Sequence, residues 1–282
     1  MTDHTFRHRC TLGALALALT AGTAGADTVG LWYFDSMSDT NGAVGAGEQL
    51  VDSSGNDLHF TRATTAGTPS LSNDVASVMA NGSTSLQSLS TSGFLTPSTT
   101  LPNIGNTGVL TVEFWFKPLL EDTARFILSQ TGASGSWQIA QRPPSGGKFA
   151  LRVQTTDDGG AFRSLDTAAT LDVQDNKWVH LAFTIADDGA AKIYFDGVQA
   201  ASGNLGANFE DAISQQLRLG ASSTGSFVNQ FRIDDLRISD QVLLPGAGTG
   251  EGELAWNSTL VPEPATAVLL LAGAGFAFSR RR

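Results

Sequence analysis

The chain is poor in the residues on which several kinds of chemistry depend. Its 282 residues include one cysteine, four histidines, four lysines and three methionines. Cys10 precedes a short apolar run near the N-terminus. A lipid-anchoring cysteine would stand at a cleavage site after such a run, so lipidation there is not expected. Cleavage past the run leaves no thiol and no disulfide, and stability must come from the core or from a bound metal. Beyond residue 26 the histidines are His59 and His180, too few for a structural zinc cluster without cysteine. There is no G-x-S-x-G elbow, no Walker phosphate loop and no EF-hand string. Basic residues are outnumbered: 17 against 27 acidic, a net charge of -10. Such a surface repels phosphates and argues against nucleic-acid binding. Glycine is frequent at 31 residues but without a three-residue period, which excludes collagen. The 41% hydrophobic content approaches the globular norm of roughly 45–50% and excludes disorder throughout.

The two ends read as address labels. His4, Arg7, His8 and Arg9 give a basic start, Leu12 to Leu19 an apolar run, and Ala24-Gly25-Ala26 a small-residue cleavage pattern. That order is a secretory signal peptide over residues 1–26, with an uncleaved N-terminal anchor as the alternative. At the other end, Pro262-Glu263-Pro264 resist helix. They precede 14 uncharged residues, Ala265 to Phe278, and the cluster Arg280, Arg281 and Arg282. The arginines hold that end on the cytoplasmic side. The apolar stretch falls short of the ~20 residues of a stable span and suits transient insertion. Without the signal peptide and the last three arginines, 12 basic and 26 acidic residues remain, a net charge of -14. This surface is soluble, self-repelling and attractive to divalent cations.

The middle alternates with period two. Val112, Phe114 and Phe116 share one face, as do Val179, Leu181, Phe183 and Ile185, and then Ile193 and Phe195. These are strands with one buried face. Asp187-Asp188-Gly189 and Asp196-Gly197 are tight turns, predicting a hairpin and then a short strand over Val198–Ala201. Further strands are expected at Val29–Phe34, Leu58–Arg62, Phe126–Ser129, Trp137–Arg142, Lys148–Gln154, Leu217–Leu219 and Phe231–Ile238. Roughly a dozen strands without helices between them point to an all-β, antiparallel two-sheet sandwich. A parallel α/β sheet is disfavoured. Apolar parity breaks between Ile233 and Leu236, which predicts a β-bulge. Residues 244–260 are glycine-rich and read as a flexible linker, in which Trp256 is out of place.

Two resemblances follow from these motifs. Pro262-Glu263-Pro264, the apolar stretch and the arginine cluster resemble the PEP-CTERM sorting signal of Gram-negative bacteria, over residues 261–282. That resemblance implies an exosortase-type membrane protease as partner. It also implies transient inner-membrane anchoring by the C-terminal hydrophobic helix, then delivery to the cell surface or extracellular matrix. A plain tail anchor is the alternative. The segments VGLWYFD, LVDSSGNDL, TVEFWFKP, KWVHLAFTIADDGAAKIYFDGVQAASG, LRLGAS and FRIDDLRISDQVL together resemble the laminin-G-like, or concanavalin-A-like, jelly roll. It implies a domain over residues 27–243 and, most often, binding of carbohydrate or protein, although fold alone does not name a ligand.

The candidate site residues each carry a structural alternative. Trp115, Trp178 and His180 point away from the main apolar set and form a candidate ligand face, or else a second buried face. Asp35, Asp52, Asp234 and Asp235 supply oxygens for calcium, or else serve as solvated loop acids. A glycosidase needs a carboxylate pair roughly 5–10 Å apart, and the Glu-x-Asp-x-x-Glu strand of laminarinase-type enzymes is missing. No catalytic residues are therefore expected. The leading expectation is an exported binding module for extracellular polysaccharide or a matrix protein. A structural matrix protein without a ligand is the second reading and a glycosidase the third.

Overall fold

The computed structural model describes residues 28–35, 43–45, 48–62, 69–76, 84–88, 95–97, 108–118, 124–131, 136–143, 145–156, 160–172, 176–206, 217–222, 230–246 and 253–256. The signal peptide, Pro262-Glu263-Pro264, the apolar stretch and Arg280, Arg281 and Arg282 lie outside these residues. In chain order the strands are β1 (Thr28–Trp32), β2 (Gln49–Leu50), β3 (Phe60–Arg62), β4 (Ser70–Ser72), β5 (Ser85–Ser88), β6 (Leu95–Pro97), β7 (Leu110–Pro118), β8 (Arg125–Thr131), β9 (Ser136–Gln141), β10 (Lys148–Phe149), β11 (Leu151–Thr156), β12 (Phe162–Asp166), β13 (Leu171–Asp172), β14 (Val179–Ile185), β15 (Ala190–Phe195), β16 (Val198–Asn204), β17 (Leu217–Leu219) and β18 (Phe231–Ser239).

They form the expected sandwich. One sheet runs β16-β15-β14-β7-β18-β5-β4, with β1 also on β18. The other runs β12-β11-β9-β8-β17-β6-β3-β2, and β10 and β13 make a two-stranded piece. The paired strands are antiparallel throughout. Among the described residues no helix is long and apolar enough to cross a membrane.

Alternation decides which side chains enter the core. Val112, Phe114 and Phe116 of β7, Leu181, Phe183 and Ile185 of β14 and Phe231 and Ile233 of β18 are buried between the sheets. Phe116 packs its ring against Phe149 and Phe231 at 6.1 and 6.0 Å between centroids. Both hairpins form: β14 pairs with β15 around Asp187-Asp188-Gly189, and β15 with β16 around Asp196-Gly197. Asp196 (φ 47°) and Gly197 (φ 75°) both take positive φ, the backbone a two-residue hairpin turn needs to match strand twist.

Several details differ from the expected pattern, and β2, β6, β12 and β13 are not among the expected strands at all. Lys148–Gln154 breaks at Ala150 into β10 and β11, which pair with different strands. The return strand extends to Asn204 rather than Ala201. The short serine-rich strands β4 and β5 (SLS and SLQS) escape any test of periodicity.

The bulge falls where parity breaks. The β18–β7 register shifts between Asp234 and Arg237, and Asp235 takes φ 42°. The extra residue lets Ile233 and Leu236 both face the core.

Candidate functional site

The outer face of the β1–β18–β7–β14 sheet carries most of the candidate residues, and two segments cover it. On one side lies a buried ionic cluster. Glu113 Oε1 accepts from Arg237 Nε at 2.6 Å, and Glu113 Oε2 accepts the Ala255 amide at 2.8 Å. His180 Nε2 lies 3.1 Å from the same carboxylate. Burial alone would raise the Glu113 carboxyl. Arg237 and His180 outweigh it and hold the group below the ordinary glutamate value.

The covering segment is the one read from sequence as a free linker. Leu244 bridges to Glu253, Arg237 Nη2 donates to the Glu253 carbonyl, and Leu254 and Ala255 are fully buried. Leu254 packs on Ala182, Tyr194 and Leu243, with Trp256 beside them. A Cβ on Gly197 would meet the Trp256 indole at 2.7 Å. Residues 253–256 are therefore strapped to the sheet. The apolar triplet Leu254-Ala255-Trp256 is what holds them there. His180 is 0% exposed under this cover, so it cannot face a ligand.

On the other side the cover is residues 73–76. Trp115, 5% exposed, packs on Ala76, and Trp178 packs against the pair. Asp74 is the hub. It accepts Trp178 Nε1 at 3.1 Å, Lys117 Nζ at 2.7 Å and Arg232 Nη1 at 2.6 Å. Its partial burial pushes the carboxyl up, but Lys117, Trp178 and Arg232 prevail and keep it low. The Lys117 ammonium stands 6.0 Å from the Trp178 ring centroid, a cation–π distance. The three residues do share one face, with the Trp115 and His180 rings 5.3 Å apart and Trp178 against Trp115, but it is mostly the second buried face rather than an open ligand face. His180 and Trp115 are sealed, and only Trp178 is partly exposed.

Trp178 opens onto a cleft of about 280 Å³ at one end of the sandwich. Phe149, Leu171 and Val179 line its apolar part, and Lys148, Lys177 and Asp196 add charge. Asp196 is fixed by a reciprocal pair of bonds: its Oδ1 accepts the His180 amide at 2.8 Å, and its own amide donates to the His180 carbonyl. Sequence reasoning missed Lys148, Lys177 and Asp196. The available signal was that two of only four lysines flank strands bordering Trp178.

The acidic candidates also divide. Asp52 is a turn-forming residue. Its Oδ1 accepts the amides of Leu31 and Ser54 at 2.9 Å, and its Oδ2 accepts the Leu58 amide and the Ser54 hydroxyl. Its carboxylate is spent on backbone and does not join the others. Asp35 Oδ1 accepts the Thr84 amide at 2.8 Å. Asp234 is 1% exposed, and its Oδ2 has no hydrogen-bond partner. Burial first, then the neighbouring Asp235 and Asp35 charges, drive the Asp234 carboxyl well above the ordinary aspartate value. First and last strands adjoin through the β1–β18 pairing, which brings these acids near one another. Among the described residues, however, no three acidic or histidine side chains converge as a metal-binding group.

The family model described as the concanavalin A-like lectin/glucanases superfamily matches residues 89–246. The chain belongs to that superfamily. A second family model, the PEP-CTERM protein-sorting motif, matches residues 260–282. This concanavalin A-like protein is therefore exported and sorted to the surface.

Solved structures agree on the fold. The receptor binding domain of botulinum neurotoxin type G aligns with TM-score 0.54 and 16% identity, over 83% of this chain and 51% of that one. The receptor binding domain of the botulinum neurotoxin C/D mosaic serotype aligns with TM-score 0.53 and 16% identity, over 77% and 48%. Domain 4 of AbnA, an extracellular arabinanase of Geobacillus stearothermophilus in complex with arabinotriose, aligns with TM-score 0.53 and 21% identity, over 78% and 96%. The chain spans about half the length of the neurotoxin domains it matches. No curated protein sequence matches it.

Proposed function

We propose that this is a non-enzymatic surface or matrix protein of a Gram-negative bacterium whose jelly roll binds carbohydrate. An exosortase-type protease recognises Pro262-Glu263-Pro264 while the apolar stretch is briefly held in the inner membrane by Arg280, Arg281 and Arg282. The observation that carries the binding reading is the Trp178 cleft. It joins an aromatic wall to an apolar floor with a few fixed polar groups, the usual make-up of a ligand site. The arabinotriose complex of AbnA domain 4 supports a sugar over a protein ligand. Asp196 is the one carboxylate among the described residues that line the cleft, where glycoside hydrolysis needs two.

The test is retention of the protein on a panel of insoluble polysaccharides. Saturable retention that soluble sugar competes away and Trp178→Ala abolishes is the expected result. Absence of saturable retention across the panel overturns it and favours a purely structural matrix role.

A calcium ion held through Asp234 is a second element of the reading, favoured by its unpartnered and buried Oδ2; Asp35, Asp234 and Asp235 do not converge as a ready-made three-carboxylate group. Hard oxygen donors suit calcium, and the ion would offset the crowded carboxylates. A ligand of the native state must raise the melting temperature by mass action. The expected result is a calcium-dependent rise that chelator reverses and Asp234→Asn removes. An identical melt with calcium and with chelator refutes it.

A further inference from the structure

We propose that the rim of the sandwich at Val198, Leu244 and Trp256 is a membrane-contact surface. It rests on the headgroups of a phospholipid bilayer while the C-terminal apolar stretch is inserted. The inference rests on the transient anchoring proposed above and adds which face of the domain turns to the membrane.

Covalent geometry supplies the first argument. The strap fixes Trp256 against Gly197, and the apolar stretch begins at Ala265. The nine steps between Trp256 and Ala265 span at most about 30 Å at full extension. A domain of this length is itself about 45 Å across, so the tether is shorter than the body it holds. Were the chain to leave the sheet at Leu243 instead, the 22 steps to Ala265 would allow roughly 75 Å, and the domain would be free to turn. The strap shortens the leash and brings the Trp256 rim toward the bilayer.

The surface at that rim supplies the second argument. Among the described residues five large apolar side chains are exposed, and three of them flank the strap: Val198 at 70%, Leu244 at 51% and Val242 at 37%. Val198 follows Gly197, on which Trp256 packs, and Leu244 bridges to Glu253 where the strap begins. Trp256 is itself partly exposed. Aliphatic side chains around an indole suit the interfacial zone of a bilayer, where Trp is enriched. Their removal from water supplies the attraction, which net charge does not, because a chain at -10 is repelled by anionic headgroups.

The Trp178 cleft borders the same rim, since Asp196 lines it and adjoins Gly197. Cleavage of the tail then frees this end of the domain for a large ligand.

The test uses residues 27–282, which contain every described residue and no cysteine. An environment-sensitive fluorophore is attached through Val198→Cys or, as a remote control, through Gln49→Cys, an exposed position on β2 in the other sheet. Each chain is mixed with vesicles of phosphatidylcholine and phosphatidylglycerol, and flotation measures anchoring separately. The fluorophore at Val198 is expected to gain emission and shift to the blue in the anchored chain, and the one at Gln49 to stay unchanged. Leu244→Asp, a change at an exposed side chain, should abolish the Val198 response without reducing flotation. About twelve Gly and Ser residues inserted after Ser258 should weaken it about three- to fourfold, as effective concentration falls with roughly the −3/2 power of tether length. Equal responses at both positions, or none at Val198 in a chain that floats, overturn the contact surface and leave anchoring standing. A Val198 response indifferent to Leu244→Asp or to the insertion overturns it too. A chain that fails to float overturns the anchoring and the contact surface together.

Discussion

Glu113 is the position where one atom's worth of change should cost most. Its carboxylate holds Arg237, His180 and the Ala255 amide, and all of these groups are out of water. Glu113→Gln keeps the shape but removes the charge, leaving the Arg237 guanidinium buried opposite a neutral amide. Breaking one side of a buried ion pair costs about 3–5 kcal/mol. In a domain of this size each kcal/mol lowers the melting temperature by about 2–4 °C, so the expected loss is roughly 6–20 °C. The acid limb carries a second signature. The folded Glu113 carboxyl sits below its unfolded value, so its stabilisation is present above about pH 4.3 and is lost as pH falls through the lower folded value. The Gln variant should therefore lose less stability than the parent on acidification. The strap should loosen too, because the Ala255 amide loses a charged acceptor. Urea denaturation at neutral and acid pH, with limited proteolysis after Trp256, measures all three effects. A loss below about 1 kcal/mol at neutral pH, within the range of surface ion pairs, would refute the reasoning. The double replacement Glu113→Leu with Arg237→Met should recover much of the loss, since removing both charges spares the unpaired one.

Three further outcomes follow from single contacts. Gly30→Ala places a Cβ 2.3 Å from the Trp32 ring, which is buried and tied to the Leu58 carbonyl at 2.9 Å; overpacking should cost about 1–3 kcal/mol in chemical denaturation. Asp234 has a folded pKa above its unfolded one, so the stability it confers is full below about pH 4 and is lost as pH rises through the folded value. In chelator, Asp234→Asn should be more stable than the parent at neutral pH by about 1–3 kcal/mol, with a gap that closes toward pH 4. Asp52→Ala strands the Leu31, Ser54 and Leu58 amides and should destabilise by about 1–3 kcal/mol, while any calcium response is unchanged because Asp52 belongs to a turn.

Much of the fold is legible because alternation and turn chemistry are local. Val179 to Ile185, the Asp-Asp-Gly turn and the Asp-Gly turn specify a three-stranded antiparallel run that the structure reproduces, with one register shift between Ile193 and Tyr194. The parity break between Ile233 and Leu236 locates a bulge to within its register shift. The short strands are illegible for the converse reason. Leu71 and Leu95 are buried, yet a strand with one apolar residue has no period. Its place is dictated by partners far along the chain, such as the β6–β17 pairing of Leu95 with Leu219.

The candidate site was harder to read because alternation tells which way a side chain points and not what lies beyond it. Trp115, His180 and Glu113 all point away from the inter-sheet core, as parity requires. Parity cannot reveal that residues 73–76 and 253–256 come back across that face. The polar character of the face itself required a cover of a particular kind. A buried Glu113 needs an N–H donor and a buried Arg237 needs further acceptors, and a backbone strap supplies both at Ala255 and Glu253. Asp74 does the same work at the other end, neutralising Lys117 and Arg232 while fixing Trp178. Trp178 lies at the margin of that second cover, beside the cleft. The outer face is thus sealed by charge satisfaction wherever its ions are buried, and it opens only at the end of the sandwich, where the partly exposed Trp178 borders the cleft.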